Sequence, residues 1–302
     1  MGSFIRLSGI MAAVALAGAA LTAAAPAAQA QAMPGGTGTS RVPCSTAALV
    51  TAINTANSGD GATLVLSLDC TYTITTPATV NDGLPIITGH ISLVGGANTV
   101  ISRDVDALTR FRILDVGTAG TLGLTSVSVR NGSTAGLGGG IQNAGTLMLN
   151  QVTLSGNTAG NGGGLANSAG ATANVFNTLF DGNTTTGVGG GGIINSGALA
   201  LSGSTLSGNS APINGGGLNT QSAGTSRINL STFVHNVSGG LGGGMSNLGA
   251  TSLNNTQVRL NTGSSGGGIA TGNNNVTLRG STVSNNTPDN CNPLNTVPGC
   301  AN

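Results

Sequence analysis

Apolar residues recur along this chain in three columns with a period of about 25 residues. The step from Leu124 to Leu149 is 25 residues, and the longest step, from Leu201 to Ile228, is 27. The first column contains Leu124, Leu149, Val175, Leu201, Ile228, Leu253 and Leu278. The second lies five positions later and contains Val129, Leu154, Phe180, Leu206, Phe233, Val258 and Val283. The third follows each glycine cluster and contains Ile141, Leu165, Ile193, Leu218, Met245 and Ile269. A period of 3.6 residues is absent, which disfavours helical repeats.

Asparagines form two further columns in the same register. One contains Asn157, Asn183, Asn209, Asn236, Asn261 and Asn286; the other contains Asn143, Asn167, Asn195 and Asn247. Thr220 and Thr271 interrupt the second column. A buried asparagine offers two donors and an acceptor, so it can bond both the backbone of its own corner and the asparagine above. Both columns are therefore predicted to be structural ladders.

Each repeat offers three short segments of alternating polarity separated by turn residues, which suits three strands and three corners. Strands rise about 3.3 Å per residue, and adjacent strands lie about 4.8 Å apart. A 25-residue repeat is then one wide coil, stacked in parallel on the next. The pattern predicts an all-β fold: a single-stranded parallel β-helix of eight or nine coils. The run Gly138-Gly139-Gly140 is predicted to form a corner that needs positive φ or close backbone approach.

The rest of the chain divides around this solenoid. Arg6, an apolar stretch over residues 10–21 and the small-residue site Ala28-Gln29-Ala30 indicate an export signal. Ser45 can cap a short helix whose apolar face contains Leu49 and Ile53. Prolines that cannot continue a strand ladder follow Asn286. The predicted division is a signal peptide over 1–30, a flexible linker over 31–43, an N-terminal cap of helix and first strands over 44–80, the β-helix over 81–286 and a tail over 287–302.

Four cysteines lie in two close pairs, Cys44 with Cys70 and Cys291 with Cys300. Four cysteines allow three connectivities, and the sequence does not choose among them. In an exported protein we expect local pairing at each end, which closes the tail as a loop. Metal binding is disfavoured because the spacings are wrong and no histidine lies nearby.

Charge is sparse, at 6% of residues, with no lysine and no glutamate. Without the signal peptide, eight arginines balance eight aspartates. A net charge near zero argues against nucleic acid or an anionic membrane surface as a partner, because both require a basic patch. After residue 32 no run of eighteen apolar residues occurs, so no membrane span is predicted in the mature protein.

The repeat Gly-Gly-Gly-[Ile/Leu]-x-Asn, followed by Gly-x-Leu-x-Leu and a terminal Asn, resembles the polymorphic outer-membrane-protein type repeat. The chain over residues 44–290 resembles exported bacterial right-handed parallel β-helix proteins with a pectin-lyase-like fold. Cys44-Ser45-Thr46-Ala47-Ala48-Leu49 is similar to the signature that opens many of them, and Leu84-Pro85-Ile86-Ile87-Thr88 matches their first-coil phrase. The resemblance implies a right-handed fold and a secreted, extracellular or envelope location. It implies no reaction.

The sequence offers few candidate catalytic or metal-binding residues. Polysaccharide lyases on the resembled fold use an acidic Ca²⁺ cluster beside a basic residue, and hydrolases use two or three close carboxylates. From Leu124 onward this chain has only Asp181 and Asp289. The one dense charged stretch, residues 103–115, offers Asp104, Asp106 and Asp115 as a weak candidate for a Ca²⁺ or sugar site. The competing interpretation, which we favour, is a set of ion pairs that closes the loop between two coils. We predict no catalytic residue and no cofactor.

Three functions fit these features. We favour a secreted, non-catalytic protein of the cell envelope or extracellular space, structural or glycan-binding and monomeric, with a polysaccharide or cell-wall surface as its partner. The alternative is a divergent polysaccharide lyase or glycoside hydrolase that uses the Asp104–Asp115 region. An ice-binding role is disfavoured because the threonines form no repeated Thr-x-Thr column. The sequence does not identify the ligand or the attachment to the envelope.

Overall fold

The computed structural model describes residues 38–96 and 98–302; the predicted signal peptide lies outside these ranges. The described chain is a right-handed parallel β-helix of about 10 turns with one short helix, which confirms the predicted fold. Every pairing between its strands is to the coil before or after, and all are parallel. The sequence predicts eight or nine coils. The difference arises at the N-terminal end, where three strands of the first sheet precede Leu124, the first residue of the recognisable repeats.

Four sheets run along the solenoid. The first has ten strands: β1 (Gly38–Val42), β2 (Ala62–Leu66), β4 (His90–Val94), β7 (Thr121–Thr125), β10 (Thr146–Asn150), β14 (Thr172–Phe176), β18 (Ala198–Ser202), β22 (Thr225–Asn229), β26 (Ala250–Asn254) and β29 (Val276–Arg279). The second has nine: β3 (Thr71–Ile74), β5 (Val100–Arg103), β8 (Ser128–Arg130), β11 (Thr153–Ser155), β15 (Leu179–Asp181), β19 (Thr205–Ser207), β23 (Thr232–Val234), β27 (Gln257–Arg259) and β30 (Thr282–Ser284).

The third sheet has eight strands: β6 (Leu114–Val116), β9 (Ile141–Asn143), β13 (Leu165–Asn167), β17 (Ile193–Asn195), β21 (Leu218–Thr220), β25 (Met245–Asn247), β28 (Ile269–Thr271) and β31 (Cys291–Asn292). The fourth is short: β12 (Thr158–Ala159), β16 (Thr184–Thr185), β20 (Ser210–Ala211) and β24 (Val237–Ser238). One coil passes from the third sheet to the first, then the second, then the fourth. The three long sheets correspond to the three predicted segments, and the fourth lies between the second sheet and the next glycine run.

The core consists of the predicted apolar columns. Leu149, Leu154 and Leu165 take one position each in the first, second and third sheets, and all three are fully buried. Parallel pairing places Leu154 beside Phe180 of the next coil and Val129 of the previous one. Stacked side chains of similar shape therefore fill the interior along its length, as the period predicts.

The N-terminal end is covered by helix α1 (Thr46–Ser58). The Ser45 hydroxyl accepts a hydrogen bond from Ala48 N at 3.4 Å, the N-cap arrangement that the sequence predicts. Leu49 and Ile53 are fully buried against the first coils. A disulfide joins Cys44 to Cys70, so the start of the helix is tied to the coil beneath it.

Two parts of the predicted division differ from the structure. Gly38–Val42 form β1, paired with β2 along its whole length, although they fall in the predicted linker over 31–43. Val42 is buried and its carbonyl accepts a hydrogen bond from the Tyr72 hydroxyl at 3.0 Å, so this stretch is anchored. The strands β2 and β3, predicted to belong to the cap, stack as regular coils. The composition of residues 33–43 is typical of a linker. It does not reveal that the backbone of residues 38–42 pairs with a neighbouring strand.

The tail packs over the last coil of the third sheet. β31 pairs with β28. The Cys291–Cys300 disulfide closes residues 291–300 into a loop, as predicted. Val297 of this loop is buried. Asn302 completes the arrangement, since its amide accepts from Cys291 N at 2.6 Å and donates to Cys291 O at 2.8 Å.

Candidate functional site

The first asparagine column forms an unbroken hydrogen-bonded ladder. Each amide Nδ2 donates to the Oδ1 of the next: Asn157 to Asn183, Asn183 to Asn209, Asn209 to Asn236, Asn236 to Asn261 and Asn261 to Asn286. Nδ2 of each also donates to a backbone carbonyl of the previous coil, as Asn183 does to Leu154 O at 2.9 Å. Gly132 N, at the position where the first coil lacks an asparagine, donates to Asn157 Oδ1. The ladder is buried, so it supports the corner and presents nothing to a ligand.

The second column is a ladder with interruptions. Asn143 donates to Asn167 and Asn167 to Asn195, both at 2.8 Å. At the next coil Thr220 replaces asparagine, and Asn195 donates instead to the hydroxyl of Ser226. Asn247 donates to Gly249 O within its own turn. These side chains are also buried, which assigns both columns to the scaffold.

The glycine runs are corners of close backbone approach. Gly138 has φ +62°, in the left-handed region that favours glycine. A methyl group on Gly140 would lie 2.6 Å from Gly164 O and 3.1 Å from Asn157 Nδ2. The third glycine therefore leaves room for both the next coil and the asparagine ladder, which confirms the predicted corner.

The acidic candidates from residues 103–115 are not brought together as a ligand set. Asp104 and Asp106 lie in the loop after β5, where Asp104 Oδ1 accepts from Asp106 N at 3.0 Å. Asp115 lies on β6 of the third sheet. Over residues 38–96 and 98–302, no group of three or more His, Cys, Asp or Glu side chains is placed to hold a metal ion.

Asp115 instead belongs to a buried cluster with Asp82, Arg112 and Gln142. Arg112 Nη1 donates to Asp115 Oδ2 at 3.1 Å, and Arg112 Nε lies 3.2 Å from Asp82 Oδ1. Nη1 also donates to Gln142 Oε1. Asp82 Oδ2 accepts from the Thr79 hydroxyl at 2.6 Å. One guanidinium thus joins the loop before β4, strand β6 and strand β9, which come from three successive coils.

Burial sets the electrostatics of this cluster. The side chains of Arg112, Asp82 and Asp115 are 9%, 7% and 16% exposed. Removal from water raises the pKa of Asp115; Arg112 opposes that shift, while the neighbouring Asp82 carboxylate adds to it. The guanidinium occupies the place between the two carboxyl groups that a bound cation would need. The arrangement is therefore an ion-pair network and not an open site.

Asp82 is a member of this cluster that the sequence analysis misses. It pairs with Arg112 as an isolated parallel bridge, thirty positions away, in a coil that does not show the repeat. Only an alignment of the irregular first coil on the later ones could have found it.

Arg103, from the charged stretch over residues 103–115, donates from Nη2 to Ala107 O at 2.7 Å and stacks over Phe111, 5.3 Å from the ring centre. Arg103 therefore closes the loop through hydrogen bonds to backbone carbonyls, whereas the sequence predicts ion pairs in this stretch.

A wide cleft lies on the outer surface at the edge of the second sheet. Its volume is about 760 Å³. The polar side chains that line it are Asp69, Thr71, Asn98, Thr99, Ser126, Ser128, Arg130 and Gln151. They come from four successive coils, and all but the buried Thr99 are at least partly exposed. Asn98 Nδ2 donates to Asp69 Oδ1 at 2.9 Å, which holds the one carboxylate of the cleft.

The cleft combines hydroxyls, amides, one carboxylate and one guanidinium. These groups can donate to and accept from the hydroxyls of a carbohydrate. A single carboxylate does not provide the acid and base pair that glycoside cleavage uses. The chemistry that this lining supports is hydrogen-bonded binding.

Comparisons with protein-family models, with curated proteins and with solved structures gave no match to this chain. The resemblance of the repeats to outer-membrane-protein type repeats therefore remains a prediction. Among the described residues, no helix has the length and apolar character needed to cross a membrane.

Proposed function

We propose that this protein is a secreted, non-catalytic component of the cell envelope or extracellular space that binds polysaccharide through the cleft around Arg130. The observation that supports this function most is the polar lining of that cleft, supplied by four coils in register. Fold alone does not determine function, so the proposal depends on these side chains.

The rigidity of the scaffold supports the same function. Ser128 and Arg130 lie on β8, which is paired in parallel with a strand on each side, and Thr71 lies on β3, which is paired with β5. A site whose groups are held before binding loses less conformational entropy when the ligand arrives. A long, repetitive ligand such as a glycan chain matches a surface built from repeated coils.

The two disulfides support an oxidising location. Cys44–Cys70 and Cys291–Cys300 use all the cysteines of the chain. Disulfides persist in secreted and periplasmic proteins and are rare in reducing compartments. Together with the predicted export signal, they favour a location outside the cytoplasm.

The test is a binding panel on the purified mature protein, with soluble polysaccharides in calorimetry and insoluble cell-wall fractions in co-sedimentation. We expect retention on at least one glycan and no increase in reducing or unsaturated ends. Failure to bind any member, including the wall fraction of the source cells, would contradict the proposal.

A second candidate, a polysaccharide-cleaving enzyme, is favoured by one observation. Asp82 and Asp115 are two carboxyl groups close enough to affect each other, and the pKa of Asp115 is raised. A carboxyl group with a raised pKa suits the role of a general acid. Burial and the bound guanidinium of Arg112 weigh against access by substrate.

Cleavage distinguishes the two candidates. If new ends accumulate with the parent and fall at least a hundredfold with Asp115→Asn, the enzyme candidate replaces the binding one. The control is Asp106→Asn, which changes an exposed carboxylate on the nearby loop.

A further inference from the structure

One outward column of the first sheet begins and ends with arginine. Strand pairing connects Arg41 of β1, coil by coil through ten strands, to Arg279 of β29. The eight residues between them in this column are uncharged. Both arginines are exposed, and the ion pairs of the described residues involve only Arg112. The two ends of the sheet therefore carry unpaired positive charge at the same register position.

Both ends also have open backbone edges. β1 pairs with β2 and β29 with β26, and within the described chain neither has a strand on its other side. An open edge is a template for a strand of another chain.

The core at the C-terminal end is incompletely covered. Leu253 and Val258 are fully buried, but Leu278 and Val283, one coil further, are partly exposed. A solenoid end that exposes its core favours stacking on another copy unless it is capped.

The third sheet is closed at this end by a different device. The side-chain amide of Asn302 accepts a hydrogen bond from the backbone N–H of Cys291 and donates one to its carbonyl, so the edge of β31 is occupied at that residue. No such contact is formed on β29 among the described residues. The first sheet needs another means to resist extension.

A second copy would continue the sheet by placing its β1 on β29. In the register that keeps every column continuous, Arg41 of that copy lies directly beside Arg279, at the spacing of adjacent strands, about 4.8 Å. A shift by one residue would turn the inward positions outward, so the register is strongly specified. Like charges directly opposite each other destabilise strand pairing. We propose that Arg41 and Arg279 form an electrostatic block against head-to-tail stacking of this β-helix.

The proposal predicts that a charge swap at one end creates the junction that the parent avoids. Thr39 and Thr277 share the neighbouring outward column, so they would also face each other across the junction. Both are exposed. A cysteine at each would lie within the range of Cα separations that a disulfide spans, about 4.4–6.8 Å.

The experiment mixes two purified mature proteins, each with one added cysteine: Thr39→Cys and Thr277→Cys. Under oxidation, the 39–277 heterodimer reports the in-register junction, and the 39–39 and 277–277 homodimers report random collision. Circular dichroism and a count of free thiols verify that each variant folds with its native disulfides. The mixture is then repeated with Arg41→Asp in the first protein, with Arg279→Asp in the second, and with both.

With Arg41→Asp alone, or Arg279→Asp alone, we expect the rate of heterodimer formation to rise at least about tenfold at low salt, with unchanged homodimer rates. With both substitutions, two like charges face each other again and the rate should return to the parent value. In 1 M salt, where the Debye length is about 3 Å, the four rates should converge. Equal rates in all four mixtures at low salt would overturn the proposal, as would a rise that persists in the doubly substituted pair.

Discussion

Asn157 and Asn183, one coil apart, are fully buried and joined by a hydrogen bond of 2.9 Å from Nδ2 to Oδ1. Asn157 N also donates to the same oxygen at 3.1 Å. A single side-chain oxygen thus satisfies both a side chain and a backbone donor of the neighbouring coil. The corner is bonded by the scaffold itself, and the outward positions are left to side chains that the scaffold does not need.

Removing one member of the ladder should destabilise the fold through its orphaned neighbours. Asn209→Ala removes the acceptor of the Asn183 backbone N–H and side-chain amide, and the side-chain donor to Phe180 O, all at buried positions. We expect a loss of about 1–3 kcal/mol for each buried group left unsatisfied. Urea denaturation measures it. Asn174→Ala, on an outward position of the first sheet, should stay within about 0.5 kcal/mol of the parent, and an equal loss there would contradict the ladder's role.

The apolar stack should respond to a cavity. Leu154→Ala removes a fully buried side chain between Val129 and Phe180, and the expected loss of stability is about 2–5 kcal/mol. Leu179→Ala is the matched control, because Leu179 pairs with Thr153 on the same sheet but points outward. The same denaturation midpoint shift for both variants would show that the inward and outward columns are wrongly assigned.

The third glycine of each run should not tolerate a methyl group. In Gly140→Ala the new Cβ would meet Gly164 O at 2.6 Å, a backbone atom that cannot move without the next coil. Overpacking of this kind costs about 1–3 kcal/mol or more. Gly38→Ala, where a Cβ meets nothing within 4 Å, is the control and should be near neutral. Thermal melting of the two variants tests the difference, and an unchanged Gly140→Ala protein would refute the close approach.

The buried Asp115 carboxyl should make stability depend on pH. Burial raises its pKa in the folded protein above the value of 3.8 for an unperturbed group, so the folded state binds this proton more tightly than the unfolded chain. The contribution of Asp115 to stability is therefore greatest below about pH 3.8 and falls as the pH rises through the folded-state pKa. Asp115→Asn cannot titrate, so the difference in unfolding free energy between parent and variant should change in this window. A difference that is constant with pH would contradict the shift.

The closed tail should limit association. Cys291→Ser with Cys300→Ser frees the loop that carries the buried Val297 and the strand β31. Exposure of the last coil should then promote aggregation, seen by light scattering. A double variant that remains monomeric would refute this role.

Much of the fold follows from the repeat alone. The columns that contain Leu154 and Asn183 predict the inward positions, the corner ladder and the parallel register, because each depends on a contact between like positions of successive coils. The glycine corner follows for the same reason. Each repeat encodes these features again, so an alignment of the repeats within this one chain contains several examples of each.

The candidate sites depend on irregular coils, which the sequence does not align. Asp82 meets Arg112 only because the loop before β4 folds against the next coil. The strand at Gly38–Val42 has no alternation of polarity and forms through pairing with β2. The cleft around Arg130 assembles from corners, whose outward directions have no periodic signature. Contacts between unlike positions are the part that a periodic pattern does not predict.

Two arginines in the same outward column of the second sheet test most directly the claim that the cleft around Arg130 binds polysaccharide. Arg130 lines the cleft, whereas Arg259 lies five coils further along that column, away from it. The measurement is the dissociation constant for the best-bound polysaccharide of the panel, for the parent, Arg130→Gln and Arg259→Gln. We predict that Arg130→Gln weakens binding about tenfold or more, since hydrogen bonds to charged groups contribute about 1.5–3 kcal/mol, and that Arg259→Gln leaves it unchanged. Equal affinities for all three proteins, or a larger loss with Arg259→Gln, would contradict the account.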